Sequence, residues 1–270
     1  MNRYDARFAA LHRAGRRAFI PFTILGFPDR ARCLASVAAM LAAGATALEL
    51  GVAFSDPLAD GPVIQQATHE VLTSGFRVHD AFALIRDIRA LDADIPIGLL
   101  VYHNTVAARS PARFFSEVKE AGADGVLIAD LPPETAVAAV EAAKAVGVAP
   151  IFMVSPLTSV ERLRRISTLA EGFLYVVSRL GTTGSDTNFD DQLRATLARA
   201  RAVAKLPLCV GFGVSTPEAA RQMIALGADG VVTGSRIIEI IREAGHDVST
   251  AVGTFCAAMR QAVDDAAQAV

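Results

Sequence analysis

The sequence predicts an α/β fold, and within that class a single closed (β/α)8 barrel. Short apolar segments alternate eight times with longer segments of helical pattern, which is typical of a parallel sheet covered by helices. The short segments are apolar nearly throughout, as residues 96–102 (PIGLLVY) illustrate, and strands buried on both faces have this composition. The chain has 270 residues, 52% of them hydrophobic, and one such barrel typically takes ~250 residues. We therefore expect one domain over residues 1–270, with no linker.

The predicted strands are separated by segments that carry helix start and stop signals. Asp29 can cap a helix that Gly44 ends, and Ser110 precedes a proline at the first helical position. Ser215 and Glu218 have the spacing of a capping box. We place the strands near residues 19–24, 46–51, 96–102, 124–129, 148–154, 173–178, 207–212 and 229–233.

Two helices exceed the eightfold repeat. Residues 2–15 place Tyr4, Phe8 and Leu11 on one face of a helix, so we expect this extra N-terminal helix to cover the bottom of the barrel. Residues 248–268 form a second helical segment that ends the fold.

Composition and motifs exclude several classes of function. A net charge of −2 gives no basic surface for nucleic acid, and no apolar run reaches the ~20 residues that span a bilayer. The five histidines are scattered, so we expect no metal site, and no dinucleotide glycine motif follows the first strand. The three cysteines are far apart, and the polar N-terminus leads into no signal-peptide core. We therefore expect a cytoplasmic protein.

The end of the second strand carries an acid where an apolar residue is the norm. Strand alternation places Glu49 opposite Leu48 and Leu50, toward the barrel mouth, where sites of this fold lie. Burial should raise the pKa of Glu49 toward the range useful for proton transfer, and the alternative is a structural acid satisfied by a salt bridge or by backbone amides. The loop that follows is long for a strand-to-helix connection, and composition does not say which of its acids, Asp56 or Asp60, matters.

Glycine-bearing turns follow the sixth, seventh and eighth strands. Backbone N–H groups at such turns and at a helix N-terminus form an anion site, and barrels often bind phosphate there. Tight turns alone also need glycine. Residues 179–191 suit either a lid that closes over a ligand or a plain surface loop. The turns contain Gly184, Gly211, Gly213, Gly234 and Ser235.

Bulky apolar residues also occupy strand ends. By default they fill the barrel, and alternatively they form an apolar pocket for a flat ring. These residues are Phe22, Leu100, Leu127, Tyr175 and Phe212.

One segment resembles a known family. Residues 48–51 (LELG) followed by residues 54–62 (FSDPLADGP) are similar to the signature of the tryptophan synthase α subunit, and the resemblance extends over nearly the whole chain. It implies a TIM barrel that acts as a lyase: indole-3-glycerol phosphate undergoes retro-aldol cleavage to indole and glyceraldehyde 3-phosphate, with no cofactor. Further matching positions are Pro21, Phe22, residues 96–100, Tyr102, Asn104, Ser178, Arg179, Thr183, Gly184, Gly211, Gly213, Gly234 and Ser235.

The resemblance also implies roles for individual residues. Asp60 stabilises the positive charge on the indole nitrogen, Glu49 handles the proton at indole C3 and the hydroxyl proton, and Thr183 holds the closed loops through Asp60. The phosphate is expected at Gly184, Gly213, Gly234 and Ser235. The indole ring is expected among Phe22, Leu100, Leu127, Tyr175 and Phe212.

A partner is implied as well. Members of the family pass indole to a β subunit that carries pyridoxal phosphate, in an α2β2 complex. Ala53 stands where the family generally has proline, and Phe27 stands where it usually has aspartate, both on or near the mouth loops. These two departures leave open a stand-alone lyase uncoupled from a β subunit, and a binding subunit that only activates a β-type partner. Another phosphosugar barrel, such as an isomerase or epimerase, is a further alternative, because it would share the phosphate turns but would not need the pair of Glu49 and Asp60.

Overall fold

The computed structural model describes residues 2–178 and 189–269. Eight parallel strands of this part form a closed barrel in the order β1 to β8, each pairing with its neighbours in sequence, and β8 pairs with β1. The predicted fold class and all eight strand positions are confirmed. The strands are β1 Ala18–Ile24, β2 Leu48–Gly51, β3 Ile97–Val101, β4 Gly125–Ile128, β5 Ala149–Val154, β6 Leu174–Val177, β7 Leu208–Gly211 and β8 Gly230–Thr233.

Helices surround the barrel and bury the outer faces of the strands. The short helix α11 (Ser235–Glu243) follows β8 directly and packs against α3 (Pro62–Thr73) and β1. Helix α12 (Val248–Gln268) packs against α2 (Arg30–Ala42) and α10 (Pro217–Ala225). No helix of the described residues is both long and apolar enough to cross a membrane. The helices are α1 Arg3–Arg13, α2 Arg30–Ala42, α3 Pro62–Thr73, α4 Val78–Leu91, α5 His103–Ala107, α6 Pro111–Ala121, α7 Val137–Ala145, α8 Val160–Leu169, α9 Phe189–Val203, α10 Pro217–Ala225, α11 Ser235–Glu243 and α12 Val248–Gln268.

Helix α1 closes the bottom of the barrel, as predicted. The side chain of Tyr4 is buried there, and its hydroxyl reaches so far inward that a Cβ atom at Gly98 would lie 2.5 Å from it. Asp124 anchors the helix from the start of β4, because its carboxylate accepts hydrogen bonds from Arg3 and Arg89, each at 2.7 Å. The attraction of the two cationic partners offsets the free energy that desolvation of this buried carboxylate costs. Helix α1 therefore covers the end of the barrel opposite to the mouth.

The helix signals are correct in position and differ in one detail. Asp29 caps α2 by accepting a hydrogen bond from the Arg32 amide at 2.9 Å. Helix α10 begins one residue later than the capping-box spacing implies, because its N-cap is Thr216, whose hydroxyl accepts from the Ala219 amide at 3.2 Å. Ser110 is the N-cap of α6, as expected.

Candidate active site

Glu49 lies inside the mouth of the barrel. On β2 it is in register with Phe22 on β1 and Gly98 on β3, and its side chain is only 4% exposed. No described residue forms a hydrogen bond or an ion pair with its carboxyl group, so the alternative of a salt-bridged structural acid has no support in residues 2–178 and 189–269. Burial first, and then the charge of Asp60, raises the pKa of Glu49 from 4.5 to about 8. At neutral pH this acid holds its proton.

Asp60 reaches the same space from the loop between β2 and α3. The hydroxyl of Tyr102 donates a hydrogen bond to Asp60 Oδ2 at 3.0 Å, and the Ala59 amide donates to that same hydroxyl at 3.0 Å. Burial raises the pKa of Asp60 from 3.8 to about 6, and the hydrogen bond from Tyr102 limits the rise. Asp56 is instead exposed and accepts a hydrogen bond from Ser55. The structure therefore shows that Asp60, and not Asp56, is the acid of this loop that faces the mouth, a distinction that composition could not make.

The ring of Phe22 forms one wall of the mouth. A Cβ atom at Gly51 would lie 2.9 Å from its Cζ atom, and one at Gly234 would lie 2.9 Å from its Cδ1 atom. Both contacts are closer than real Cβ atoms come, so the ring occupies the volume that these glycines leave free. Phe22 thus joins the end of β2 to the start of α11.

Tyr175 and Phe212 form a second wall of the mouth. Their rings meet edge to face with 6.1 Å between centroids, and Tyr175 is buried whereas Phe212 is 42% exposed. The Phe212 backbone has a φ of 68°, and the Ser178 hydroxyl donates to its carbonyl oxygen at 2.5 Å. Leu100 and Leu127 are register partners on β3 and β4, the first half-buried and the second buried. All five residues of the predicted apolar pocket therefore lie at the mouth.

The predicted phosphate turns lie beside this pocket. Gly213 has a φ of 76°, is exposed, and has open space where a side chain would stand. Gly234 is the N-cap of α11, no side-chain capping bond forms there, and Ser235 begins the helix at the surface. Helix α11 therefore begins directly after β8 with no side chain to cap its first N–H groups. Thr183 and Gly184, with most of the predicted lid over 179–191, lie outside the described residues.

The comparisons with known proteins agree with this geometry. A family model described as tryptophan synthase alpha chain matches residues 8–268. The chain belongs to the tryptophan synthase alpha chain family. A relative from Shewanella amazonensis is 41% identical over 265 residues, which is 97% of this chain and 100% of the relative. A relative from Vibrio cholerae is 42% identical over 241 residues, 89% of this chain and 90% of the relative. Both carry the name tryptophan synthase alpha chain.

Solved structures of the tryptophan synthase alpha family share the fold over the same extent. The tryptophan synthase alpha subunit of Legionella pneumophila superposes with a TM-score of 0.90 at 36% identity, covering 98% of this chain and 99% of that one. A chain of the tryptophan synthase α2β2 complex from Pyrococcus furiosus gives 0.83 at 34% identity, covering 90% and 98%. Membership in this family makes the chain a lyase of tryptophan biosynthesis whose reaction is the cleavage of indole-3-glycerol phosphate.

The two residues at which this chain departs from the expected pattern of its family have different environments. Phe27 is fully buried, and the guanidinium carbon of Arg242 lies 5.4 Å from its ring centroid. Arg242 also pairs with Glu70 on α3 at 3.0 Å. Phe27 therefore lies under α11 and not on the surface of the mouth. Ala53, at the start of the Asp60 loop, is half-buried.

Sequence reasoning gave Tyr102 no role, although the residue matched the family. Tyr102 is 2% exposed, and its ring stacks on that of Phe54 with 5.2 Å between centroids. Its position directly after β3, at the end of the barrel where sites lie, was the available signal. Among the described residues, no group of three or more histidine, cysteine or acidic side chains could hold a metal ion.

Proposed function

We propose that Glu49 and Asp60 together carry out the cleavage of indole-3-glycerol phosphate to indole and glyceraldehyde 3-phosphate. The observation that supports this most strongly is the placement of two acids in one mouth: Glu49 is buried on β2, and Asp60 is held by the hydroxyl of Tyr102, and burial raises the pKa of Glu49 to about 8 and that of Asp60 to about 6. At pH 7 the first is a proton donor and the second an anion. Two carboxyl groups whose environments push their pKa values apart are suited to separate acid and charge-stabilising roles.

The cleavage reaction uses the protonated state of Glu49 and the ionised state of Asp60. Glu49 donates its proton to indole C3, which leaves a positive charge on the ring nitrogen, and the Asp60 carboxylate stabilises that charge beside the ring N–H. The bond between C3 and the glycerol chain then breaks, and its electron pair returns to the indole ring. Glu49, now a carboxylate, accepts the proton of the adjacent hydroxyl as the aldehyde forms. Each proton transfer contributes ~10²–10⁴-fold to the rate.

The surrounding residues would bind the two ends of the substrate. The indole ring would lie among Phe22, Tyr175 and Phe212, with Leu100 and Leu127 on the neighbouring strands as further apolar contacts. The phosphate would accept hydrogen bonds from backbone N–H groups near Gly213, Gly234 and Ser235, where α11 begins uncapped. Gly184 as a phosphate contact and Thr183 as a partner of Asp60 remain parts of the proposal.

We also propose that the chain functions as the α subunit of an α2β2 complex, as its relative from Pyrococcus furiosus does. Leu58, on the Asp60 loop, is 86% exposed and offers an apolar contact at the mouth. Phe27 is buried and is therefore not part of that surface. The comparisons do not favour the stand-alone alternative. One barrel domain over 1–270 and a cytoplasmic location complete the proposal, the latter supported by three buried, unpaired cysteines.

The test is release of indole from indole-3-glycerol phosphate. We expect the wild-type chain to release indole, Glu49→Gln to lose turnover, and Asp60→Asn to be severely impaired. Asp56→Asn is the matched control, because it removes an exposed acid from the same loop, and it should retain wild-type turnover. Wild-type protein that releases no indole, alone or with a β chain, would contradict the assigned reaction and favour a different phosphosugar substrate.

A further inference from the structure

Tyr102 connects the rigid barrel to the loop that carries Asp60. The residue follows β3 directly, and its ring is buried and held in plane by the stacked ring of Phe54. Its hydroxyl contacts two consecutive residues of the loop, the amide of Ala59 and the carboxylate of Asp60, both at 3.0 Å. One side chain of the barrel therefore restrains the backbone and the functional group of the loop at once.

The direction of these two hydrogen bonds is fixed by chemistry. A backbone N–H can only donate, so the hydroxyl oxygen accepts from Ala59, and the hydroxyl proton is left to point at Asp60 Oδ2. Oδ1 of Asp60 has no hydrogen-bond partner among the described residues. The carboxylate thus has one oxygen held by the barrel, whereas its other oxygen has no partner within residues 2–178 and 189–269.

We infer that Tyr102 is a positioning residue for the cleavage reaction: its hydroxyl holds Asp60 Oδ2 so that Oδ1 faces the ring N–H of the substrate. The inference rests on the proposed function, which assigns that N–H to Asp60. Phenylalanine at this position would keep the stacking and the packing but would leave the Ala59 amide without its acceptor and Asp60 without its donor. The hydroxyl alone makes the difference.

The charges around this pair define a pH test. Glu49 faces Asp60 from β2, Tyr175 faces both acids from β6, and Asp130 faces Tyr102 from the end of β4. Tyr102 is the group among these that donates a hydrogen bond to Asp60, and this bond opposes the effect of burial on the pKa of Asp60. Its removal must therefore raise the pKa of Asp60 above about 6.

The experiment is a carboxyl ¹³C NMR titration of the full-length chain, with the Asp60 signal assigned by its loss in Asp60→Asn. In Tyr102→Phe we expect the Asp60 pKa to rise by about one unit, and the acidic limb of kcat/KM to move with it, so that activity on that limb falls about tenfold. Replacement of Tyr102 by 3-fluorotyrosine, a stronger donor, should shift the Asp60 pKa downward. Ser55→Ala, which removes a hydroxyl from the same loop, should leave the Asp60 titration unchanged.

The positioning role of Tyr102 and the assigned cleavage reaction can be refuted independently of each other. An unchanged Asp60 titration and pH profile in Tyr102→Phe would overturn the positioning role, even with a fully active wild-type enzyme. A wild-type chain that releases no indole but shows the pKa shift in Tyr102→Phe would refute the assigned reaction and leave the Tyr102–Asp60 link standing.

Discussion

Gly211 on β7 lies so close to the hydroxyl of Tyr175 on β6 that a Cβ atom at Gly211 would be 2.0 Å from the hydroxyl oxygen. The two strands are adjacent in the barrel, and the Tyr175 ring occupies the volume that a side chain at position 211 would take. The position of this ring in the proposed indole pocket therefore depends on a missing side chain on the next strand.

Gly211→Ala is expected to push the Tyr175 ring out of place. Overpacking of a buried site typically costs about 1–3 kcal/mol of unfolding free energy, and we expect KM for indole-3-glycerol phosphate to rise as well. Gly253→Ala, in helix α12, is the control. An added Cβ atom there has Ala39 as its only described neighbour, at 3.8 Å. It should stabilise the protein by about 0.5–1 kcal/mol and leave KM unchanged. Denaturant unfolding measures the unfolding free energy of both variants, and steady-state kinetics measures their KM. An unchanged KM in Gly211→Ala would contradict the packing argument.

The buried Glu49 should make stability depend on pH. Its pKa is raised from 4.5 to about 8 on folding, so between these values the folded state binds a proton that the unfolded state does not. Stability from this group is therefore present below pH 4.5 and is lost as the pH rises, by about 1.4 kcal/mol per unit, until about pH 8. Glu49→Gln lacks this loss, so it should become more stable than the wild type at alkaline pH. The prediction would be refuted if the unfolding free energies of the wild type and Glu49→Gln changed equally with pH between pH 5 and 9.

The cleavage rate should show a bell-shaped pH dependence. The mechanism requires an ionised Asp60 and a protonated Glu49, and their pKa values of about 6 and about 8 set the acidic and alkaline limbs of kcat/KM in the free enzyme. Because the two groups interact, the limbs report the pair. We expect a maximum near pH 7, and loss of the acidic limb in the residual activity of Asp60→Asn. A profile flat from pH 5 to 9 would show that neither acid controls turnover.

Phe27 and Leu58 should separate folding from partner binding. Phe27 is fully buried beneath Arg242, so Phe27→Ala should lower the unfolding free energy by about 3–5 kcal/mol. Leu58 is exposed, so Leu58→Asp should change it by less than about 0.5 kcal/mol while weakening association with a β chain. Calorimetric titration with a β chain tests the second expectation, and undiminished binding by Leu58→Asp would place the partner surface elsewhere.

Much of the fold was predictable because its signals are local. A strand buried on both faces must be apolar, so the eight strands stand out, and an acid inside such a strand, Glu49, is noticeable for the same reason. Gly44, with a φ of 88°, marks a helix end because few other residues adopt that conformation. The start of α10 was placed one residue early, since Ser215 and Thr216 can both cap a helix and only the path of the chain selects Thr216.

The sequence by itself determined the barrel, the mouth at the ends of its strands, and the residue types that gather there. Only the tertiary structure decided which acid of the loop turns inward, which side chain holds that acid, and which residues remain exposed at the surface. Asp60 differs from Asp56 because Tyr102, 42 positions away in the chain, donates a hydrogen bond to it, and Phe27 is buried because Arg242 packs over it. Contacts between residues so distant in sequence depend on how the loops and helices fold back over the barrel, and no local pattern encodes that.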